Sequence, residues 1–263
     1  MSRITEAFAA ARAARRAAFI PYLTAGDPGL EATPVLLRAM AAGGADVIEI
    51  GVPFSDPIAD GVVNQRAAER GRRAGATLRA ILERCGRLRE PLPPLVLFTY
   101  FNPIHRMGAE SFAAQAAKAG IAGVLVTDLP PEEGADLRAA LQARGVDSIG
   151  LLAPTSPPER RAAITAAARG FLYFISRAGV TGVRDDLPPG LEAQVRDARA
   201  HANGLPVAVG FGLSRPEQVR AVREFADGFV VGSALVRLIE ERGSDPDLPA
   251  ALERACRAFR EAA

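Results

Sequence analysis

The stretch LVLFTYFNPIHRMGAESFAAQAAKAGIAGVLVTD, Leu95–Asp128, decides the fold. It opens on one apolar run, LVLFTY (Leu95–Tyr100), and closes on another, GVLVTD (Gly123–Asp128), with an Ala-rich segment of helical period between them. Near-continuous apolar strands separated by helices describe a parallel sheet covered by helices on its outer face. Upstream, the same unit begins at AFIPYLT (Ala18–Thr24) and DVIEIG (Asp46–Gly51). Downstream it begins at SIGLLA (Ser148–Ala153), FLYFIS (Phe171–Ser176), PVAVGFG (Pro206–Gly212) and GFVVGS (Gly228–Ser233). Eight strand–helix units in 263 residues fit a closed barrel better than a doubly wound sheet. No GxGxxG follows the first strand, which weakens a dinucleotide-binding reading. The predicted class is α/β: a single (β/α)8 TIM barrel over residues 1–263 with a short extra helix at its N-terminus. That leading segment, RITEAFAAARAARRAAF, has the arginines of an organelle transit peptide. Acidic Glu6 and the helical spacing of Ile4, Phe8 and Ala11 favour a helix.

Composition excludes several function classes. With 32 basic and 30 acidic residues the net charge is +2, so nucleic acid and anionic membrane are poor candidates for the main partner. Arginines thicken between Arg66 and Arg89, but Glu69 and Glu83 are interleaved, as on a solvated helix face. Cys85 and Cys256 are isolated within helical segments and fit reduced thiols in a cytoplasmic protein. No apolar run approaches the ~20 residues that span a bilayer. Only two histidines occur, and no Cys/His cluster has metal-ligand spacing. Lys118, the one lysine, precedes a helix-ending glycine, where an ammonium suits the helix C-terminus better than Schiff-base chemistry.

In a barrel of this kind reacting groups come from the C-terminal strand ends and the loops that follow. After the first strand, TAGDP is either a helix-capping turn or a binding loop. In the second, Glu49 interrupts an apolar run. A carboxylate there is costly unless it is ion-paired or keeps its proton, so it is either a structural pair with an arginine or a proton-transfer group. The following VPFSDPIADG is stiffened by Pro53 and Pro57 and carries Asp56 and Asp60 in a segment able to close over a ligand. At the other end, GVTG (Gly179–Gly182), GFG (Gly210–Gly212) and GSA (Gly232–Ala234) follow strands six to eight. Their backbone N–H groups suit a phosphate dianion, and Ser233 adds a hydroxyl at a helix start. A carbon–carbon lyase on this chain needs a substrate that carries its own electron sink.

The strings IPYLTAGDP, IEIGVPFSDPIADG, SRAGVTG and GFGLSRPEQV closely resemble the signature segments of tryptophan synthase α subunits, in order and spacing, from about Phe19 to about Val236. The resemblance implies retro-aldol cleavage of indole-3-glycerol phosphate to indole and glyceraldehyde 3-phosphate, the indole ring acting as electron sink. By the same resemblance Glu49 is the general acid–base, and Asp60 accepts the indole N–H. Tyr22 and Tyr173 are implied substrate contacts, Tyr173 matching a tyrosine near the catalytic glutamate, although ordinary strand packing explains Tyr173 equally well. Gly182, Gly212, Gly232 and Ser233 match the phosphate-binding positions, with Phe211 contributing backbone, and Thr181 meets Asp60 on closure. The implied partner is a β subunit in an α2β2 assembly, which uses pyridoxal phosphate; the α chain carries no cofactor or metal. Pro53, Phe54, Asp56 and the turn around Asn102 resemble the docking surface. Three positions depart from the family pattern: Val62 stands where proline is common, Asn64 where an apolar residue lines the indole pocket, and Tyr22 where some members have phenylalanine. Rival readings are a lyase that works without a β subunit, another phosphate-binding barrel of the same pathway, and a non-catalytic activator. The ring-forming synthase is disfavoured by the lack of strand lysines, the activator by the intact Glu49 and Asp60.

Overall fold

The computed structural model describes residues 1–176, 187–210 and 212–263. Among them are nine parallel strands, β1 (Ala18–Thr24), β2 (Ile48–Gly51), β3 (Leu95–Thr99), β4 (Ile121–Val126), β5 (Asp147–Ser148), β6 (Gly150–Leu152), β7 (Leu172–Ile175), β8 (Val207–Gly210) and β9 (Gly228–Val231). They are ordered β5-β4-β3-β2-β1-β9-β8-β7-β6. The two ends of that order are neighbours in the chain, separated by Ile149 alone, so the ring is that of an eight-stranded barrel. The strand expected at Ser148–Ala153 is thus two short pieces: β5 pairs with β4 and β6 with β7. Ile149 donates its N–H to the Val124 carbonyl at 2.9 Å, which carries the chain from one neighbour to the other.

Alternation along each strand sorts side chains between two cores. Ile48 and Ile50 face the helices together with Leu23 and Leu97. Tyr22, Val96, Tyr173 and Val230 face the barrel interior. Glu49 stands between Ile48 and Ile50 and is in register with Tyr22 on one side and Val96 on the other. The strand pleat therefore turns it inward.

The leading helix, α1 (Arg3–Ala13), forms as its spacing predicts, with Ile4, Phe8 and Ala11 buried. Ser2 caps it by accepting the Thr5 N–H at 3.3 Å. Phe8 packs on Phe171 with centroids 5.4 Å apart, so α1 closes the N-terminal end of the interior. The ligand-facing end is the other one.

Two helices follow strand ends that matter below, α3 (Val62–Arg73) after β2 and α11 (Ser233–Arg242) after β9. A chain of ion pairs joins them to the loop after β1. Arg70 of α3 clasps Asp27 through two hydrogen bonds of 2.8 Å each and reaches Glu240 of α11 at 2.7 Å. Arg66 donates to the same glutamate twice at 2.7 Å. The arginine-rich face is therefore solvated in part only: Arg70 points to a partner that is 1 % exposed. This contact also resolves the TAGDP turn, whose aspartate is an ion-pair partner. Replacing Arg70 with Met leaves Asp27 buried without its counter-ion and should cost about 3 kcal/mol in urea denaturation. A loss under about 1 kcal/mol would show that Asp27 is held by other groups.

Candidate active site

At the C-terminal end of the barrel interior lies a cavity into which Glu49, Asp60 and Asn64 project, flanked by Tyr22 and Tyr173. Glu49 is 1 % exposed, and neither carboxyl oxygen has a hydrogen-bond partner among the described residues. No arginine among the described residues pairs with it, so none of them forms the structural ion pair. Removal from water, with no compensating donor, pushes its pKa up to about 8. At neutral pH this side chain holds its proton.

Asp60 meets a different environment. Burial raises its pKa, but hydrogen bonds from Tyr100 and Asn64 oppose the rise. Tyr100 stands just beyond the end of β3. Its hydroxyl accepts the Ala59 N–H at 3.0 Å and donates to Asp60 Oδ2 at 3.1 Å. One phenol thus fixes both the loop backbone and the carboxylate it presents. The Tyr100 ring stacks on Phe54, with centroids 4.9 Å apart. Gln65 adds a bond from its side-chain amide to the Asp60 carbonyl at 2.8 Å. Two carboxyls sharing one cavity have thereby been given unlike acidities.

The two tyrosines occupy their places because of glycines. A Cβ on Gly51 would stand 2.0 Å from the Tyr22 hydroxyl oxygen, and one on Gly210 would stand 2.0 Å from that of Tyr173. Gly210, the first residue of the GFG segment, gives room to a tyrosine ring. Tyr22 lies edge-on to Phe98 at 5.7 Å, and its hydroxyl lies 3.3 Å from Thr24 Oγ1. Burial, and then the neighbouring carboxylate charges, raise both phenols well above their ordinary pKa, so both stay protonated. Gly210→Ala should drive Tyr173 into the cavity and cost about 2 kcal/mol by overpacking. A thermal melt and a substrate titration on that variant check this; unchanged values in both would contradict the contact.

Gly212, Gly232 and Ser233 line the same cavity. Gly212 has φ +100°, a conformation few other residues adopt. Ser233 begins α11, so the unpaired N–H groups and positive dipole end of a ten-residue helix lie at the cavity. Thr181, Gly182 and Phe211 lie outside the described residues, as does the GVTG segment. Among the described residues no group of three His, Cys, Asp or Glu side chains is arranged to hold a metal ion.

On the rim, Ile58 is 70 % exposed and Val62 58 %, with Asp56 and Asn102 exposed beside them, whereas Pro53 is buried. Val62 is the first residue of α3, where proline suits a helix but is not required. Sequence reasoning missed Tyr100; its signal was a polar residue at the C-terminal end of a strand, the same signal that singled out other loop residues.

A parallel barrel that buries one unpartnered and one hydrogen-bonded carboxyl group in a single cavity at its C-terminal end is laid out for acid–base chemistry. The family model described as tryptophan synthase alpha chain matches residues 8–263. The tryptophan synthase alpha chain of Opitutus terrae is 47 % identical over 248 residues, covering 94 % of this chain and 93 % of that one. That of Burkholderia thailandensis is 49 % identical over 243 residues, covering 92 % and 89 %. The crystal structure of tryptophan synthase subunit alpha from Legionella pneumophila str. Paris superposes with a TM-score of 0.91 at 38 % identity, covering 100 % of this chain and 98 % of that one. The chain belongs to the tryptophan synthase alpha chain family. It is a carbon–carbon lyase of that family, whose reaction cleaves indole-3-glycerol phosphate and passes the indole to a beta subunit.

Proposed function

We propose that Glu49 and Asp60 divide the cleavage of indole-3-glycerol phosphate between them, and that Gly212, Gly232 and Ser233 anchor the phosphate. Protonated Glu49 delivers its proton to indole C3, which breaks ring aromaticity and leaves positive charge on the ring nitrogen. Asp60, ionised, accepts the ring N–H and stabilises that charge. The glycerol hydroxyl next to C3 then gives its proton to the Glu49 carboxylate. The O–H electron pair forms the aldehyde C=O, the carbon–carbon bond breaks, and its electrons return to the ring. Indole and glyceraldehyde 3-phosphate are released, and Glu49 is again protonated. No cofactor enters the cycle.

The phosphate is held by backbone N–H groups at the α11 N-terminus and by the Ser233 hydroxyl. Thr181, Gly182 and Phe211 complete the site by family resemblance. Tyr22 and Tyr173 form the ring walls. The partner is a β subunit in an α2β2 assembly, with pyridoxal phosphate on the β chain. Ile58, Phe54 and Asp56 supply this chain's side of the contact, together with Asn102. The compartment is the cytoplasm, where buried Cys85 and Cys256 remain free thiols.

The observation that carries this reading is an inward-facing carboxyl group, without a hydrogen-bond partner among the described residues, in one cavity with a second carboxyl that is hydrogen-bonded. Product analysis tests it: indole and glyceraldehyde 3-phosphate in equal amounts from indole-3-glycerol phosphate, faster when a β subunit is added. No indole under either condition rejects it. The rate should also fall with rising pH as Glu49 loses its proton, with a midpoint at about 8 in kcat/KM. A profile flat from pH 7 to about pH 10 would remove Glu49 as the initial acid.

A further inference from the structure

Asn64 sits four residues beyond Asp60, in the first turn of α3, and is 8 % exposed. It lines the cavity wall. The two ends of its amide have different surroundings. A carboxylate only accepts hydrogen bonds, so the NH2 end turns to Asp60. The carbonyl oxygen is thereby directed away from Asp60. It is buried and meets no donor among the described residues.

Apart from the Glu49 carboxyl, whose role is accounted for, this is the one orphaned acceptor on the cavity wall among the described residues. An apolar side chain of the same size would fill the position without that cost. A buried acceptor of this kind is repaid only by a ligand that supplies a donor, and sites built this way reject isosteres that lack one.

We propose that Asn64 Oδ1 is a specificity contact: it receives a hydrogen-bond donor carried on the aromatic ring of the ligand, a hydroxyl or an amino group. The cavity therefore favours donor-bearing indoles over indoles of like shape that carry only a methyl group. The inference rests on the reading above, in which the ring N–H lies against Asp60. Asn64, four residues further along the chain on the same cavity wall, then faces the benzo edge of the same ring.

The test is equilibrium binding of 4-, 5-, 6- and 7-hydroxyindole to the full chain, each paired with the methylindole substituted at the same position. The proteins are the wild type, Asn64→Leu and Asn64→Ala, the alanine variant serving if leucine perturbs folding. For at least one ring position the wild type should bind the hydroxyindole about tenfold tighter than its methyl partner. The ratio should fall to near one in both variants. Equal or weaker binding of every hydroxyindole by the wild type overturns the proposal, as does a preference that persists in both variants. Indole release from indole-3-glycerol phosphate by the wild type is measured in parallel. Failure of that release strikes the proposed reaction. Normal release without a hydroxyl preference strikes only the role of Asn64.

Discussion

Glu49→Gln is expected to lower kcat by roughly 10⁴-fold while substrate still binds and the fold persists, because the amide keeps the shape of the acid but has no proton to give. The same substitution has a second signature in stability. A carboxyl whose pKa is raised from 4.5 in the unfolded chain to about 8 in the folded one binds more protons when folded. Its contribution is therefore fully favourable below pH 4.5 and is lost as pH rises through about 8. Glutamine does not titrate. Relative to wild type, the variant should gain stability progressively across that window, by an amount on the order of 5 kcal/mol at the alkaline end. Urea denaturation at several pH values reads the trend. A constant difference between the two proteins would mean that Glu49 titrates normally. Wild-type turnover in the variant would exclude it from the chemistry.

Asp60→Asn should reduce kcat by about 10²- to 10³-fold, since the charge facing the developing indolium is lost while a neutral acceptor remains. Tyr100 still finds an oxygen to bond, so the loop geometry survives and KM changes little. This combination separates the carboxylate from a merely structural loop residue, whose loss would raise KM and lower the melting temperature together. Steady-state kinetics with unchanged kcat would reject the assignment.

These two residues were legible in the sequence for different reasons. Glu49 announced itself by chemistry, as one acid in an otherwise apolar strand, and strand alternation was enough to place it between two outward-facing isoleucines. Asp60 was visible only through family resemblance, because the loop carries a second acid, Asp56, a further one, Asp128, lies at another strand end, and nothing local ranks them. The barrel itself followed from the repeated strand–helix pattern. What the pattern concealed was where a strand changes neighbours: SIGLLA looks continuous, yet Ile149 divides it, because the apolar period is the same on both sides of the break.

Long-range contacts were the other blind spot. Tyr100 reaches Asp60 across 40 residues of sequence, and Arg70 reaches Glu240 across 170. Neither distance leaves a local mark. Gly210 opens the GFG segment read as suiting a phosphate, and in the fold its lack of a side chain admits the Tyr173 ring. A glycine in a strand marks a close approach, but not what approaches. Asn64 was visible as a departure from family pattern, although only the fold shows its carbonyl oxygen without a donor among the described residues.

The chemistry described depends on a proton resident on Glu49 near neutral pH. Infrared difference spectroscopy between wild type and Glu49→Gln measures it directly, through the carbonyl stretch of a protonated carboxylic acid. That band should be present at pH 7 and should disappear with a midpoint at about 8. A wild-type spectrum showing only ionised carboxylate at pH 6 to 7 would contradict the role assigned to this side chain.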